Sequence, residues 1–138
     1  MTEGNLEAFL SDLQDAFLEC RWDELASFFQ RPLVIYSQVG VSVFRSEAQI
    51  RGVLQQYREA LGGIEVASTT LDVDHRDTTF NHRLRTTVRI TDMGDDGQPM
   101  RRSVIRYFLV EEGDSYKIEM LEYIESSLPI AVVQRVIH

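Results

Sequence analysis

Cysteine is almost missing from this chain: Cys20 is the only one in 138 residues, so no disulfide can form within it. That usage predicts a reducing, cytoplasmic setting. Cys20 ends an apolar helical pattern and is read as a small packed residue rather than a nucleophile. Lysine is nearly missing too, since Lys117 stands alone among 14 basic residues and the others are Arg. No apolar run approaches the roughly 18 residues that a membrane-spanning helix needs. The start, Met1-Thr-Glu-Gly-Asn5, lacks the basic and apolar parts of a signal peptide. There is also no excess of positive charge. A net charge of −8 repels polyanions, which argues against nucleic acid and against anionic membranes as partners. Nucleophile-elbow, phosphate-loop, dinucleotide-binding and Cys-x-x-Cys motifs are all missing, and no cofactor is expected.

What remains is the pattern of an ordinary globular domain, 43% hydrophobic and 26% charged, read as one domain over 1–138. Leu6, Phe9, Leu10, Leu13, Ala16 and Phe17 recur at helical spacing, with Asn5 as N-cap. A second helix is predicted over Trp22–Phe29, its buried side being Trp22, Leu25, Phe28 and Phe29, and Pro32 stops it. Short β-type runs follow at Leu33–Ser37 and Val41–Phe44, around Gly40. Ser46 and Gln49 fit a capping box, and Ile50, Val53, Leu54, Tyr57 and Leu61 form the stripe of a third helix ended by Gly62-Gly63. Gly52 inside that helix suggests close packing against a neighbour.

From Ile64 to Ser126 the period becomes two, and three hairpins are predicted with turns at Arg76–Thr79, Met93–Gln98 and Glu112–Ser115. One face then collects Ala67, Leu71, Val73, Leu84, Val88, Ile90, Ile105, Tyr107, Leu109, Ile118, Met120 and Ile124, with Glu122 as its one carboxylate. The other collects Asp72, Asp74, Arg83, Arg85, Arg89, Arg102, Arg106, Glu119 and Glu125, with Phe108, Leu121 and Tyr123 among them. This register opposes Asp74 to Arg83 and Asp72 to Arg85, but also Arg89 to Arg102 and Arg85 to Arg106, which is unfavourable. The apolar stretch 128–138 is expected to pack on the domain or on a partner subunit.

The element order, with Arg21-Trp-Asp-Glu-Leu-Ala-Ser-Phe-Phe29 and the helix begun by Ser46, resembles the nuclear-transport-factor-2-like superfamily. Ketosteroid isomerase, scytalone dehydratase and the SnoaL-like cyclases belong to it. The resemblance covers residues 5–125 and implies an α+β cone: three N-terminal helices packed on the concave face of a curved, mainly antiparallel sheet. It also implies a pocket and a homodimer through the convex face. Where ketosteroid isomerase has its catalytic Asp before a Pro, this chain has Arg31-Pro32. A guanidinium cannot serve as that base.

The site candidates follow from the two faces. Glu122, on the predicted apolar face, is a solvated or paired strand-end residue, a pocket acid/base, or a residue turned outward by a bulge. Tyr107 is its candidate partner as hydrogen-bond donor, with Tyr36 as the alternative. Trp22, Tyr36, Tyr57, Thr86, Ser103 and Met120 are the expected pocket lining. Arg85, Arg106, Phe108, Leu121 and Tyr123 are the expected dimer face. His75 and His82 fall across the first turn without a third ligand, and Asp92–Gly97 lacks calcium-loop ligands at two places, so no metal is expected. The reading is a homodimeric domain binding a small apolar molecule, or an assembly module, without catalysis of its own. The alternative is a cyclase, isomerase or dehydratase using Glu122.

Overall fold

A computed structural model describes residues 3–60, 68–78 and 82–125. Gly62-Gly63, Ala67 and the 128–138 stretch lie outside the described residues. Helix α1 (Glu3–Leu18) and the short α2 (Trp22–Ala26) are followed by strands β1 (Phe29–Ser37) and β2 (Gly40–Phe44). Then come α3 (Glu47–Ala60) and the meander β3 (Ser68–Thr78), β4 (Arg83–Met93), β5 (Pro99–Glu112) and β6 (Ser115–Glu125). The six strands form one sheet in the order β2-β1-β6-β5-β4-β3, antiparallel except where β1 runs parallel to β6. Leu6, Phe9, Leu10 and Leu13 of α1, Leu25 of α2, and Ile50, Val53 and Leu54 of α3 share one buried cluster with Val88, Ile105, Leu109 and Ile118. The fold is the predicted α+β one, with helices on one face of a curved, mostly antiparallel sheet.

Several boundaries move. Asn5 lies inside α1 rather than capping it. α2 ends at Ala26, and Phe29 belongs to β1, where it opposes Ile118. α1 closes in a Schellman motif: Cys20 N–H donates to Phe17 O at 3.3 Å and Arg21 N–H to Ala16 O at 2.9 Å. Cys20 takes the left-handed position of that motif, with φ 59°, and is exposed. The expectation of a packed thiol therefore fails, because this backbone position points its side chain outward from the helix end. Cys20→Gly is expected to stabilise the fold by about 0.5–1 kcal/mol, since glycine adopts that φ without steric cost. A urea melt of the two proteins measures it.

Ser46 caps α3 as the sequence indicates, accepting from Gln49 N–H at 3.1 Å. Gln49 reaches one residue further back than a standard box, accepting from Arg45 N–H at 2.6 Å. A Cβ at Gly52 would meet nothing within 4 Å, so close packing does not explain that glycine. In the hairpin turns Gly97 and Gly113 do take positive φ, 76° and 61°.

The sheet register departs from the predicted one in three places. β3 continues to Thr78, and a bulge lies between Val73 and His75. Asp72 therefore faces Arg89, and Asp77 faces Arg85 at 2.6 Å, instead of the Asp72–Arg85 and Asp74–Arg83 pairs. Between β4 and β5 the pairing slides by two residues, which keeps the faces but removes the like-charge clashes: Arg89 opposes Val104 and Arg85 opposes Phe108. In β6 a bulge between Ile118 and Met120 reverses the faces, and a second between Tyr123 and Glu125 restores them. Leu109 opposes Ile118, Phe108 opposes Met120, and Tyr107 opposes Leu121. Leu121 is thus 3% exposed in the core, while Met120 turns to the outer face.

Candidate functional site: a cavity between helices and sheet

The core face of the sheet changes character along its strands. Moving across β4, β5, β6 and β1, one row is Leu84, Leu109, Ile118 and Phe29, and the next is Thr86, Tyr107, Leu121 and Ile35. A third row is Val88, Ile105 and Tyr123. Towards the C-terminal end of β4 it becomes polar: Ser103 opposes Ile90, and then Thr69, Asp92 and Arg101 lie side by side across β3, β4 and β5. There a partly open cavity of about 80 Å³ remains.

Every layer contributes to its wall. α1 presents Leu13, Gln14 and Phe17, α2 presents Leu25, α3 presents Leu54 and Tyr57, and β1 presents Phe29. The sheet contributes Ile90, Asp92, Ser103, Ile105, Tyr107, Leu121 and Tyr123. Tyr57 and Tyr123 stack, with ring centroids 5.5 Å apart and planes 18° from parallel. Phe17 lies 6.1 Å from Tyr57. Burial, and secondarily Tyr57 nearby, pushes the phenols of Tyr107 and Tyr123 up, well above the ordinary tyrosine value. Both remain neutral hydroxyls at neutral pH.

Asp92 is the carboxylate of this cavity, 8% exposed. Thr69 Oγ1 donates to its Oδ1 at 3.1 Å, and Arg101 Nη2 lies 3.3 Å from its Oδ2. Buried charge is costly unless paired and hydrogen-bonded, and these two neighbours meet that requirement. The sequence signal was available. The alternation Leu84, Thr86, Val88, Ile90 reaches Asp92 on the same face, but its place beside the Met93–Gln98 turn hides it. Gln14, on the helix face beside Leu13 and Phe17, gave no signal of its own.

The structure brings together Tyr107, Tyr57 and Ser103 of the predicted lining. Trp22 packs behind Phe17, at 6.5 Å between centroids, and borders a separate, more open pocket with Cys20 and Gln55. Thr86 is 0% exposed and sealed in the core. Tyr36, 43% exposed, and Met120 belong to the outer face. Glu122 joins them there, opposite Tyr36 and Arg106, with its Oε1 2.8 Å from Arg106 Nη1. The bulge places it away from the cavity, which removes the geometric ground for pairing it with Tyr107 as acid and donor. Of the predicted dimer face, Arg85, Arg106 and Phe108 do lie outward, whereas Leu121 and Tyr123 turn inward. His82 is exposed and lies 3.7 Å from Glu111, and the backbone of His75 opposes Thr87 rather than His82.

Among the described residues no helix is long and apolar enough to cross a membrane. No match is found among curated proteins. Among solved structures, the chain is similar to an NTF-2 like protein of unknown function from Shewanella oneidensis MR-1, with TM-score 0.64 and 12% identity over 89% of this chain and 98% of that one. It is similar to the beta subunit of the benzoate 1,2-dioxygenase from Burkholderia mallei, at TM-score 0.59 and 12% identity over 91% of each chain. A putative calcium/calmodulin-dependent protein kinase type II association domain from Thiobacillus denitrificans is similar at TM-score 0.65 and 13% identity, over 85% of this chain and 91% of that one. These identities speak for the fold alone. Residues 3–122 match the family described as NTF2-like protein (DUF6841), and with that match over most of its length the chain belongs to this NTF2-like family.

Proposed function

We propose that this chain is a small-molecule-binding domain without catalysis of its own, and that it self-associates through the outer face of its sheet. The observation that carries the first part is the aromatic-walled cavity held between α1, α3 and the sheet. Apolar walls with a few polar groups converging on them are the usual make-up of a ligand site. The outer face supports the second part. Val41 and Val43 of β2 are 52% and 42% exposed, and β1 adds Val34 and Tyr36 beside them. The same apolar stripe continues through Met120 on β6 to Phe108 on β5. Beyond it lie the ion pairs Arg106–Glu122 and Arg85–Asp77. An exposed apolar patch rimmed by charge is the composition of an interface. Two of the similar structures are named a subunit and an association domain, which fits this reading.

Native mass spectrometry of the purified protein tests both parts at once, giving subunit number and the mass of any co-purifying molecule. Val43→Glu places a carboxylate at the exposed β2 end of the stripe and is expected to convert a dimer to a monomer without changing the circular dichroism spectrum. Sedimentation of the unaltered protein as a monomer at micromolar concentration overturns the self-association.

A further inference from the structure

We infer that the cavity takes a compact, uncharged one-ring aromatic molecule whose hydrogen-bond-donating substituent ends at Asp92. This rests on the reading of the cavity as a ligand site. The size of the space sets the first limit. About 80 Å³ is under three times a water's share of the liquid and about half of a roughly 150 Å³ cavity that holds benzene, so no more than one ring enters, with part of it left in the open mouth. The walls set the second. Tyr57 and Tyr123 form a stacked pair bordering the cavity, with Phe17 beside them, and flat π faces favour a flat ligand.

The polar end sets the third limit and decides the chemistry. Gln14, Ser103 and the tyrosine hydroxyls can each donate or accept, so they tolerate either kind of ligand group. Asp92 alone is one-sided, because a carboxylate only accepts. Its two oxygens have capacity beyond the bonds to Thr69 and Arg101. It borders the cavity, whereas Arg101, which neutralises it, does not. A ligand carboxylate would therefore meet the like-charged member of the pair first. A full cation is not needed, since Arg101 already supplies the counter-charge. A neutral donor such as a phenolic hydroxyl fits both conditions.

Phenol, toluene and benzoate share the ring and differ at the substituent, so titrating each into the unaltered protein by calorimetry is the direct test. Phenol is expected to bind about tenfold more tightly than toluene, the usual weight of one hydrogen bond to a charged group. Benzoate is expected not to bind. Asp92→Asn should shrink the phenol preference, and Arg83→Ala, on the outer face of the sheet, should leave it. If Asp92→Asn does not fold, the three-probe comparison on the unaltered protein still decides. Equal binding of phenol and toluene, or tighter binding of benzoate, overturns this inference while the cavity stands as an apolar site. Failure of all three probes, with no molecule co-purifying, overturns the ligand-site reading itself.

Discussion

Arg101→Ala is expected to destabilise the protein by about 3 kcal/mol, because it strands a carboxylate in a nearly closed site. The side chains of Asp92 and Arg101 are only 12% and 11% exposed, and their charged ends are 3.3 Å apart. Exposed pairs on the outer face behave differently. Arg83–Glu119 at 2.9 Å is open to water on both sides, and breaking it should cost no more than about 1 kcal/mol. The buried pair has paid its desolvation already, so losing one partner leaves an uncompensated charge that water cannot reach freely. Thr69 then remains as a neutral donor, which is insufficient. The double variant Asp92→Leu/Arg101→Met supplies the decisive comparison. Removing both charges together should recover most of the loss, since well-packed apolar replacements of buried ion pairs are often neutral or better. Urea denaturation of the two variants and the unaltered protein measures this. A double variant as unstable as Arg101→Ala would mean that the loss lies in packing rather than in the stranded charge.

The same pair shows which features a sequence displays and which it hides. Periodicity displays faces wherever a strand is regular. β4 is the clean case, with Leu84, Thr86, Val88, Ile90 and Asp92 all buried and the residues between them partly exposed. Helix stripes are equally open to view, as with Ile50, Val53 and Leu54 on α3. Bulges hide, because one extra residue reverses every face beyond it. That reversal moved Glu122 from the expected cavity wall to the outer face, and Leu121 and Tyr123 from the expected interface into the core. Yet β6 does carry a trace of it. Its charges fall at Lys117, Glu119, Glu122 and Glu125, with intervals of two, then three, then three. A regular strand with charges on one face keeps intervals of two. Each interval of three coincides with one of the two register shifts, so the bulges were written in the charge spacing rather than in the apolar pattern. The parallel pairing of β1 with β6 has no comparable trace, since contacts so distant in sequence leave no local period.

Raising the pH above 10 should destabilise the fold steeply, and the cause lies in the cavity wall. Tyr107 is 5% exposed, and burial lifts its phenol well above the ordinary value; Tyr123 is lifted in the same way. Unfolded, both would titrate near the usual tyrosine value of about 10. Below that pH both states hold the protons and the two groups add no pH dependence. Above it the unfolded chain releases protons that the folded chain keeps, so stability falls as pH rises. Each retained proton contributes a slope of about 1.4 kcal/mol per pH unit, and two contribute about 2.7. Tyr123 is half-buried as a residue, so the observed slope should lie between those limits. Across two pH units the loss reaches several kcal/mol, comparable with the whole stability of a small domain. Tyr107→Phe removes one titrating group and should reduce the slope by about 1.4 kcal/mol per pH unit, whatever it does to stability at neutral pH. Urea midpoints measured from pH 9 upward give both slopes. Parallel curves for the two proteins would mean that the Tyr107 phenol reaches solvent in the folded state, and that the cavity is wetter at its centre than its apolar walls require.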